Sequence, residues 1–324
     1  YNYSDKYIVS ASIRRDGSSR FGKDTKFGIF PAASAAWRVS EEDFFEDVSI
    51  ITNMKVRLSW GQTGNDNIGN YSSFGRLSNY NYSYGGNLAF GFAPTSADNP
   101  TLTWETNTTT DFGIDLGFLG NRITLAADYY INKTTDLLLD VPAPAITGFP
   151  GSVTLNSGSV ENKGWEFEVS STNVQSSALG GIRWKTSFNI SHNENEVTSL
   201  GYGIKELIGE LRSVPTHITK VGLPIRSFFL YDFIGLLTEA DMADANVAKF
   251  NKQEAGNLKI RDVNQDGIIN DADRTVVGSN HPDLIFGMTN SLQIGDFDLS
   301  ILFTGVTGFD TYFMFGRYID SGGT

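Results

Sequence analysis

Residues Ile123-Thr-Leu-Ala-Ala-Asp-Tyr-Tyr-Ile-Asn132 (ITLAADYYIN) alternate without a break. Ile123, Leu125, Ala127, Tyr129 and Ile131 fall on one side of an extended chain, and Thr124, Ala126, Asp128, Tyr130 and Asn132 on the other. A period of two predicts a β-strand with one apolar and one polar face. The segment just before it, DFGIDLGF (111–118), sets Phe112, Ile114, Leu116 and Phe118 against Asp111, Gly113, Asp115 and Gly117. In GWEFEVS (164–170), Trp165, Phe167 and Val169 oppose Glu166, Glu168 and Ser170. In IRWKTSFNIS (182–191), Ile182, Trp184, Phe188 and Ile190 oppose Arg183, Lys185, Asn189 and Ser191. Less regular versions occur near 7–15, 28–39, 54–61, 284–294 and 297–305.

The total is about nine strands, and the connections between them alternate in size. The compact ones are 40–53, 118–122, 174–181 and the turn at Gly295-Asp296; the longer ones are 16–27, 62–103, 136–162 and 198–283. In an up-and-down meander every second connection lies at the same end. All four compact connections therefore share one end and all four longer ones the other. Short turns at one end and long loops at the other are the pattern of an outer-membrane β-barrel. The alternation agrees, because a lipid-facing side is apolar while a watery lumen takes polar and charged groups. A soluble β-sandwich gives no reason for connections to sort by parity, and loops of roughly 40 and 85 residues are unusual in one. The fold expected is all-β, an antiparallel up-and-down transmembrane barrel.

Composition narrows the function classes. Thirty-four glycines and 13% aromatics favour an all-β chain. The formal charge of -12 argues against nucleic acid as a partner. There is no cysteine, which excludes disulfides and thiolate metal sites. No apolar run of about 18 residues is present, so no transmembrane helix is expected. The chain opens YNYSDK without an initiating Met and enters a strand by about Tyr7. Bacterial barrels have even strand numbers, so a count of about nine also predicts a piece of something larger.

Several blocks carry a family resemblance. SIRRDGSSRFG and FPAASAAWRVSEEDFF (12–22 and 30–45) resemble one barrel hairpin of the SusC/RagA-type TonB-dependent outer-membrane transporters of Bacteroidetes. VRLSWGQTGNDNIGNY (56–71) and ITGFPGSVTLNSGSVENKGWEFEV (146–169) are similar to further stretches of that family. VGLPIRSFFLYDFIGLLTEAD (221–241) and GNLKIRDVNQDGIINDADRTVVGSNHPDLIFGMTNSL (256–292) resemble its long late loop. The resemblance implies a 22-stranded barrel filled by an N-terminal plug and capped by a SusD-like surface lipoprotein. It also implies import of oligosaccharides or peptides, driven by TonB acting on the plug. On this reading residues 1–324 are part of a single barrel domain in contact with membrane lipid, with the plug and the final strands outside them. The alternatives are a TonB-dependent receptor for siderophore- or cobalamin-type cargo, and a calcium-stabilised extracellular β-adhesin.

Two stretches carry candidate chemistry. DVNQDGIINDAD (262–273) has the spacing of a twelve-residue calcium loop. Asp262, Asn264, Asp266 and Asp273 would supply side-chain oxygens, Ile268 a backbone carbonyl and Asn270 a direct or water-bridged oxygen, with Gly267 at the sharp turn. Asp273 stands where an EF-hand has Glu, and no flanking helix pair is visible, so the loop is expected to be a structural Ca2+ clasp and not a sensor. The plain alternative is a polar turn in which Asn and Asp bond their own backbone. Thr238-Glu-Ala-Asp241, just upstream, predicts a capping box opening a short helix over about 239–250. In the loop 62–103, Tyr71, Asn79, Tyr80, Tyr82 and Tyr84 offer flat faces and amides suited to a sugar or peptide cargo. Ordinary interfacial packing is the alternative for each. Trp60, Trp165 and Trp184 sit on apolar strand faces and are read as membrane-girdle residues. His192, His217 and His281 are scattered, and no G-x-S-x-G elbow or phosphate-binding loop is present, so no enzyme is expected. Glu166 and Glu168 lie two apart on one strand face and are read as charges of a lumen wall rather than as a hydrolytic pair.

Overall fold

The chain was analysed as a computed structural model, which describes residues 1–143, 146, 152–176, 181–201, 203–212 and 214–314. Part of the 146–169 block and the middle of the 174–181 connection lie outside the described residues. In chain order, β1 (Asn2–Tyr3), β2 (Tyr7–Gly17), β3 (Phe27–Arg38) and β4 (Ile51–Asn65) precede a hairpin of β5 (Arg76–Tyr84) and β6 (Asn87–Ser96). Then come β7 (Glu105–Phe118), β8 (Ile123–Thr135) and a second hairpin, β9 (Leu138–Pro142) with β10 (Ser152–Asn156). The two longest strands are β11 (Ser159–Ser176) and β12 (Ile182–Ser199). They are followed by β13 (Glu206–Leu211), β14 (Val214–Lys220), β15 (Ser227–Tyr231), β16 (Phe233–Leu236), the helix α1 (Glu239–Ala243), β17 (Leu258–Ile260) and β18 (Arg274–Gly278). The chain returns through β19 (Leu284–Ile294) and β20 (Phe297–Thr307).

Ten strands make one antiparallel sheet in the order β1-β2-β3-β4-β7-β8-β11-β12-β19-β20, and it does not close on itself. Nine of them are the expected strands; the tenth, β1, adds two residues against β2. Every neighbour within the sheet is the next membrane strand in sequence, so the meander holds throughout. The connections sort by end as expected with one exception. The segments between β7 and β8, β11 and β12, and β19 and β20 are short and lie at one end, but the segment between β3 and β4 at that end is longer than the one between β2 and β3 at the other.

The longer connections are folded rather than irregular. The 62–103 stretch holds the β5–β6 hairpin, turned by Gly85 and Gly86 at φ 59° and 80°. Two consecutive residues at positive φ make a turn that glycine adopts without strain. The 198–283 stretch holds a four-stranded sheet, β13-β14-β15-β18, and the β16–β17 pair. The expected capping box is present, with the Thr238 side chain accepting from Asp241 N and Asp241 accepting from Thr238 N. Its helix ends at Ala243, not near 250, because Asp244 already leaves the helical region at ψ 118°.

Burial is inverted relative to a soluble protein. On the membrane strands the apolar faces are open, with Leu58, Phe112, Tyr129 and Leu299 all exposed. Small apolar cores sit instead on the long-loop side. Phe21, Phe30, Leu102 and Trp104 form one, Val160, Val197 and Leu200 a second, and Ala248, Ile260 and Ile269 a third. Val160 and Val197 belong to the long-loop ends of β11 and β12. At 18 residues each, these strands are about twice the length needed to cross a bilayer.

Candidate functional site

The polar face of the sheet is a graded wall. Reading across β4, β7, β8, β11 and β12, one row is Lys55-Asp115-Ala126-Glu168-Asn189, and the next is Arg57-Gly113-Asp128-Glu166-Ser191. The third is Ser59-Asp111-Tyr130-Gly164-Asn193, and the fourth Gly61-Thr109-Asn132-Asn162-Asn195. Charge therefore lies toward the short-turn end and amides toward the long loops.

Arg57 organises the charged rows. Its Nε and Nη2 donate to the two carboxylate oxygens of Asp115, each at 2.9 Å. Nη2 also lies 2.9 Å from Asp128 Oδ1, and Nη1 4.0 Å from Asp111. Lys55 Nζ is 3.6 Å from Asp115. Gly113 sits between Arg57 and Asp128 in register, and a Cβ there would overlap both side chains. The missing side chain is what lets the guanidinium reach a carboxylate two strands away. Glu166 and Glu168 are exposed and make no ion pair within 4.0 Å with another described residue, in line with their reading as wall charges. Above them Tyr130 Oη donates to Asn193 Oδ1 (2.9 Å), Asn193 and Asn195 both donate to Asn162 Oδ1 (3.0 and 2.9 Å), and Asn195 accepts from Ile225 N (2.8 Å). That last bond ties the wall to the loop above it. No sequence motif marks Lys55, Arg57 or the amide ladder. Their signal in the sequence is shared strand parity across neighbouring strands, which becomes visible once the register is known.

The aromatic candidates separate into three positions. Tyr80, Tyr82 and Tyr84 lie on one face of the β5–β6 hairpin, opposite Gly91, Ala89 and Asn87. These small partners leave the rings room, and the Tyr82 ring covers Gly91. Asn79 points to the other face, opposite Phe92, because it is one residue out of step with the tyrosines. Tyr71 lies in a preceding turn at φ 64°, with its ring 6.5 Å from that of Phe74. The structure thus groups three of the five. Of the girdle tryptophans, Trp184 donates its indole N–H to Asn290 at 3.2 Å beside the β11–β12 turn. Trp165 stacks near His192, and Trp60 ends the apolar run of β4 toward the long loops.

The Asp262–Asp273 loop is wound on its own carboxylates. Asp262 accepts from Gly267 N (2.8 Å) and Asp266 N (3.3 Å), and Asp266 accepts from Ile268 N (2.9 Å). Asn264 donates its amide to Asp266, and Asn270 Oδ1 accepts from Ala272 N. Asp273 is fully buried and accepts from Val263 N (2.9 Å) and Asn270 N (2.8 Å). Burial pushes its carboxyl up, but these backbone N–H bonds outweigh it and hold the group below the usual carboxylate range. Among the described residues no group of three or more His, Cys, Asp or Glu is arranged to hold a metal ion. The oxygen-rich donor set suits a hard cation, and the same side-chain oxygens accept the loop's own backbone N–H groups. Ile269 anchors the loop in the third apolar core, beside a bridge from Ile268 to Lys249.

A cavity of about 760 Å3, which no sequence motif announced, lies next to this loop and is lined by Tyr231, Phe233, Phe250, Leu258 and Tyr312. Arg274 closes one side, its guanidinium 4.3 Å over the Tyr231 ring and bonded to Asp271 at 3.1 Å. The Tyr231 hydroxyl and then Arg274 hold the Asp271 carboxyl below its ordinary range.

Comparison with known proteins adds the following. Residues 1–258 match the family described as "TonB dependent receptor-like, beta-barrel". TonB-dependent receptor P26 of Formosa agariphila is 37% identical over 314 residues, covering 96% of this chain and 31% of that protein. TonB-dependent receptor SusC of Bacteroides thetaiotaomicron is 33% identical over 312 residues, covering 93% of this chain and 29% of that protein. Among solved structures, the RagAB peptide transporter superposes with a TM-score of 0.75 at 25% identity, over 93% of this chain and 32% of that chain. The chain therefore spans about a third of the length of the curated relatives it matches.

Proposed function

The chain belongs to the TonB-dependent receptor β-barrel family, whose members are outer-membrane proteins, and from that premise we propose that it is part of one barrel domain of a nutrient importer. The full-length protein takes up oligosaccharides or peptides with a SusD-like surface lipoprotein as its lid and with TonB as its energy source. The observation that carries this reading is the two-faced sheet. An apolar side suits lipid, and the wall of Arg57, its three aspartates and the amide ladder suits a water-filled passage. Similarity to the RagAB peptide transporter supports a peptide cargo, and similarity to the TonB-dependent receptor SusC supports TonB-dependent import.

On this reading Tyr80, Tyr82 and Tyr84 serve as cargo contacts at the outer mouth, with Tyr71 and Asn79 reaching cargo from neighbouring surfaces. On the same reading the Asp262–Asp273 loop serves as a structural Ca2+ clasp on the longest loop. Uptake of labelled oligosaccharides and labelled peptides by cells carrying the full-length protein, with and without its TonB system, tests the transport reading. TonB-dependent uptake of one class is expected. TonB-dependent uptake of a siderophore or cobalamin alone would replace it. The clasp is tested on the same protein by melting with Ca2+ and with chelator, in wild type and in Asp262→Ala/Asp273→Ala. Melting that ignores Ca2+ in both would reject it.

A further inference from the structure

The apolar face of the sheet ends, on its long-loop side, near two cations that have no carboxylate partner among the described residues. On β2 and β3 this face is built from Tyr7, Val9, Ile13 and Arg15, opposite Trp37, Ala35, Pro31 and Ile29. Trp37 and Tyr7 mark its short-turn end. Both donate to Glu42 Oε1, at 3.0 and 2.6 Å, as girdle residues at an interface would. Phe27 marks the other end. Ten residues separate Trp37 from Phe27 along β3, roughly 33 Å of strand, or about 25 Å along the membrane normal at a tilt of about 40°. That equals the height of the lipid-facing band of an outer-membrane barrel. Phe27 thus falls at the upper lipid–water boundary.

Arg15 stacks on the Phe27 ring at 4.2 Å, and Lys26 Nζ lies 5.9 Å from the same ring. Phe27 itself stays 54% exposed. Neither cation has a carboxylate within 4.0 Å among the described residues, although Arg14, one residue away on the lumen face, is bonded to Asp16 at 2.7 Å. The boundary farther along the sheet provides the contrast. There Lys163 also ends the lipid-facing side, but its Nζ lies 2.6 Å from Glu161. Arg15 on the lipid-facing side and Lys26, which precedes the strand and brings its ammonium to the same aromatic platform at headgroup height, match an anionic oxygen cluster presented by the membrane itself.

We propose that Arg15 and Lys26 bind the phosphate of a lipid headgroup in the outer leaflet. The guanidinium would take two phosphate oxygens in its planar fork and the ammonium a third. The lipid chains would lie against Ile13 and Ile29, both exposed below the cations. This rests on the membrane-barrel reading. It is tested on full-length protein extracted from the outer membrane, by native mass spectrometry of retained lipid A, its dephosphorylated form, and lipid A challenged with inorganic phosphate. Wild type and Arg15→Lys/Lys26→Arg are expected to retain phosphorylated lipid A, and Arg15→Gln/Lys26→Gln about tenfold less or worse. Dephosphorylated lipid A should be held equally weakly by all three. Equal retention of the two lipid forms by wild type, or full retention by the Gln variant, overturns the proposal. Displacement by inorganic phosphate overturns the lipid as the source of the anion. Heat-modifiable migration reports separately on the barrel, so loss of this site with an intact barrel leaves the transport reading standing. If the Gln variant does not assemble, the two lipid forms on wild type still decide.

Discussion

The membrane sheet and the loop layer above it solve opposite packing problems with the same residue types. In the sheet Leu58, Phe112 and Tyr129 face outward and Arg57 is enclosed by carboxylates. In the loop layer Leu200, with Val197 at the end of β12, is almost fully buried, and Asp273 is the one fully buried charged side chain among the described residues. One molecule with both arrangements has two solvents. The loop layer needs its own small cores to offset the entropy of ordering long segments. The sheet needs only a match between its apolar face and lipid.

The largest expected effect comes from inverting the sheet. Ile114→Arg places a cation on the lipid side near mid-membrane and should cost about 3 kcal/mol, seen as loss of heat-modifiable full-length barrel. Asp115→Asn, next along the strand but on the other face, should assemble. Equal defects would break the comparison. In the loop layer, Leu200→Ala should cost about 2 to 3 kcal/mol through a cavity, but locally. Limited proteolysis should cut within 200–283 while the barrel still migrates as folded. Arg57→Gln leaves Asp115 and Asp128 without their shared cation in a wall that is partly hydrated, and a loss of about 1 to 2 kcal/mol is expected in urea titration. Gly113→Ala should give a defect of the same kind, since the new methyl group displaces Arg57 from Asp128.

The smallest effect is a pH dependence of the loop helix. Lys259 Nζ at 2.7 Å and the Thr238 N–H and hydroxyl hold the Asp241 carboxyl far below its ordinary value. A depressed folded-state value means the contribution is fully present above the unfolded value near 4 and is lost as pH falls. Amide protection over 238–243, with the intrinsic exchange rate at each pH divided out, should fall between pH 5 and pH 3 in wild type and be low at both in Asp241→Asn.

Alternation made the membrane strands legible, because a period of two is preserved by the environment that each face meets. Parity of the connections made the two ends legible. The β5–β6 hairpin was also written in the sequence, as Gly85-Gly86 between SNYNYSY and NLAFGFAP. Length alone disguised it as loop. The helix after Thr238 was legible at its start, where the cap is local, and not at its end, where Asp244 turns away. Arg57 and its aspartates were not legible as a group. Their contacts depend on register between strands far apart in sequence, and on a glycine whose role is to be absent. Asn79 is one residue out of phase with Tyr80, Tyr82 and Tyr84, so the period of two that marks the strands also puts it on the other face.

The central claim is that the two faces of this sheet meet lipid and water. These 324 residues contain no cysteine, so single cysteines placed among them are the only labelling sites once any cysteine elsewhere in the full-length protein is replaced. Spin labels at successive positions from 111 to 118 in the full-length protein, in a bilayer, should alternate in collision with oxygen and with a water-soluble nickel chelate. Oxygen should dominate at Phe112, Ile114, Leu116 and Phe118, and the chelate at Asp111, Gly113, Asp115 and Gly117. Equal access of the chelate to both sets would contradict the account.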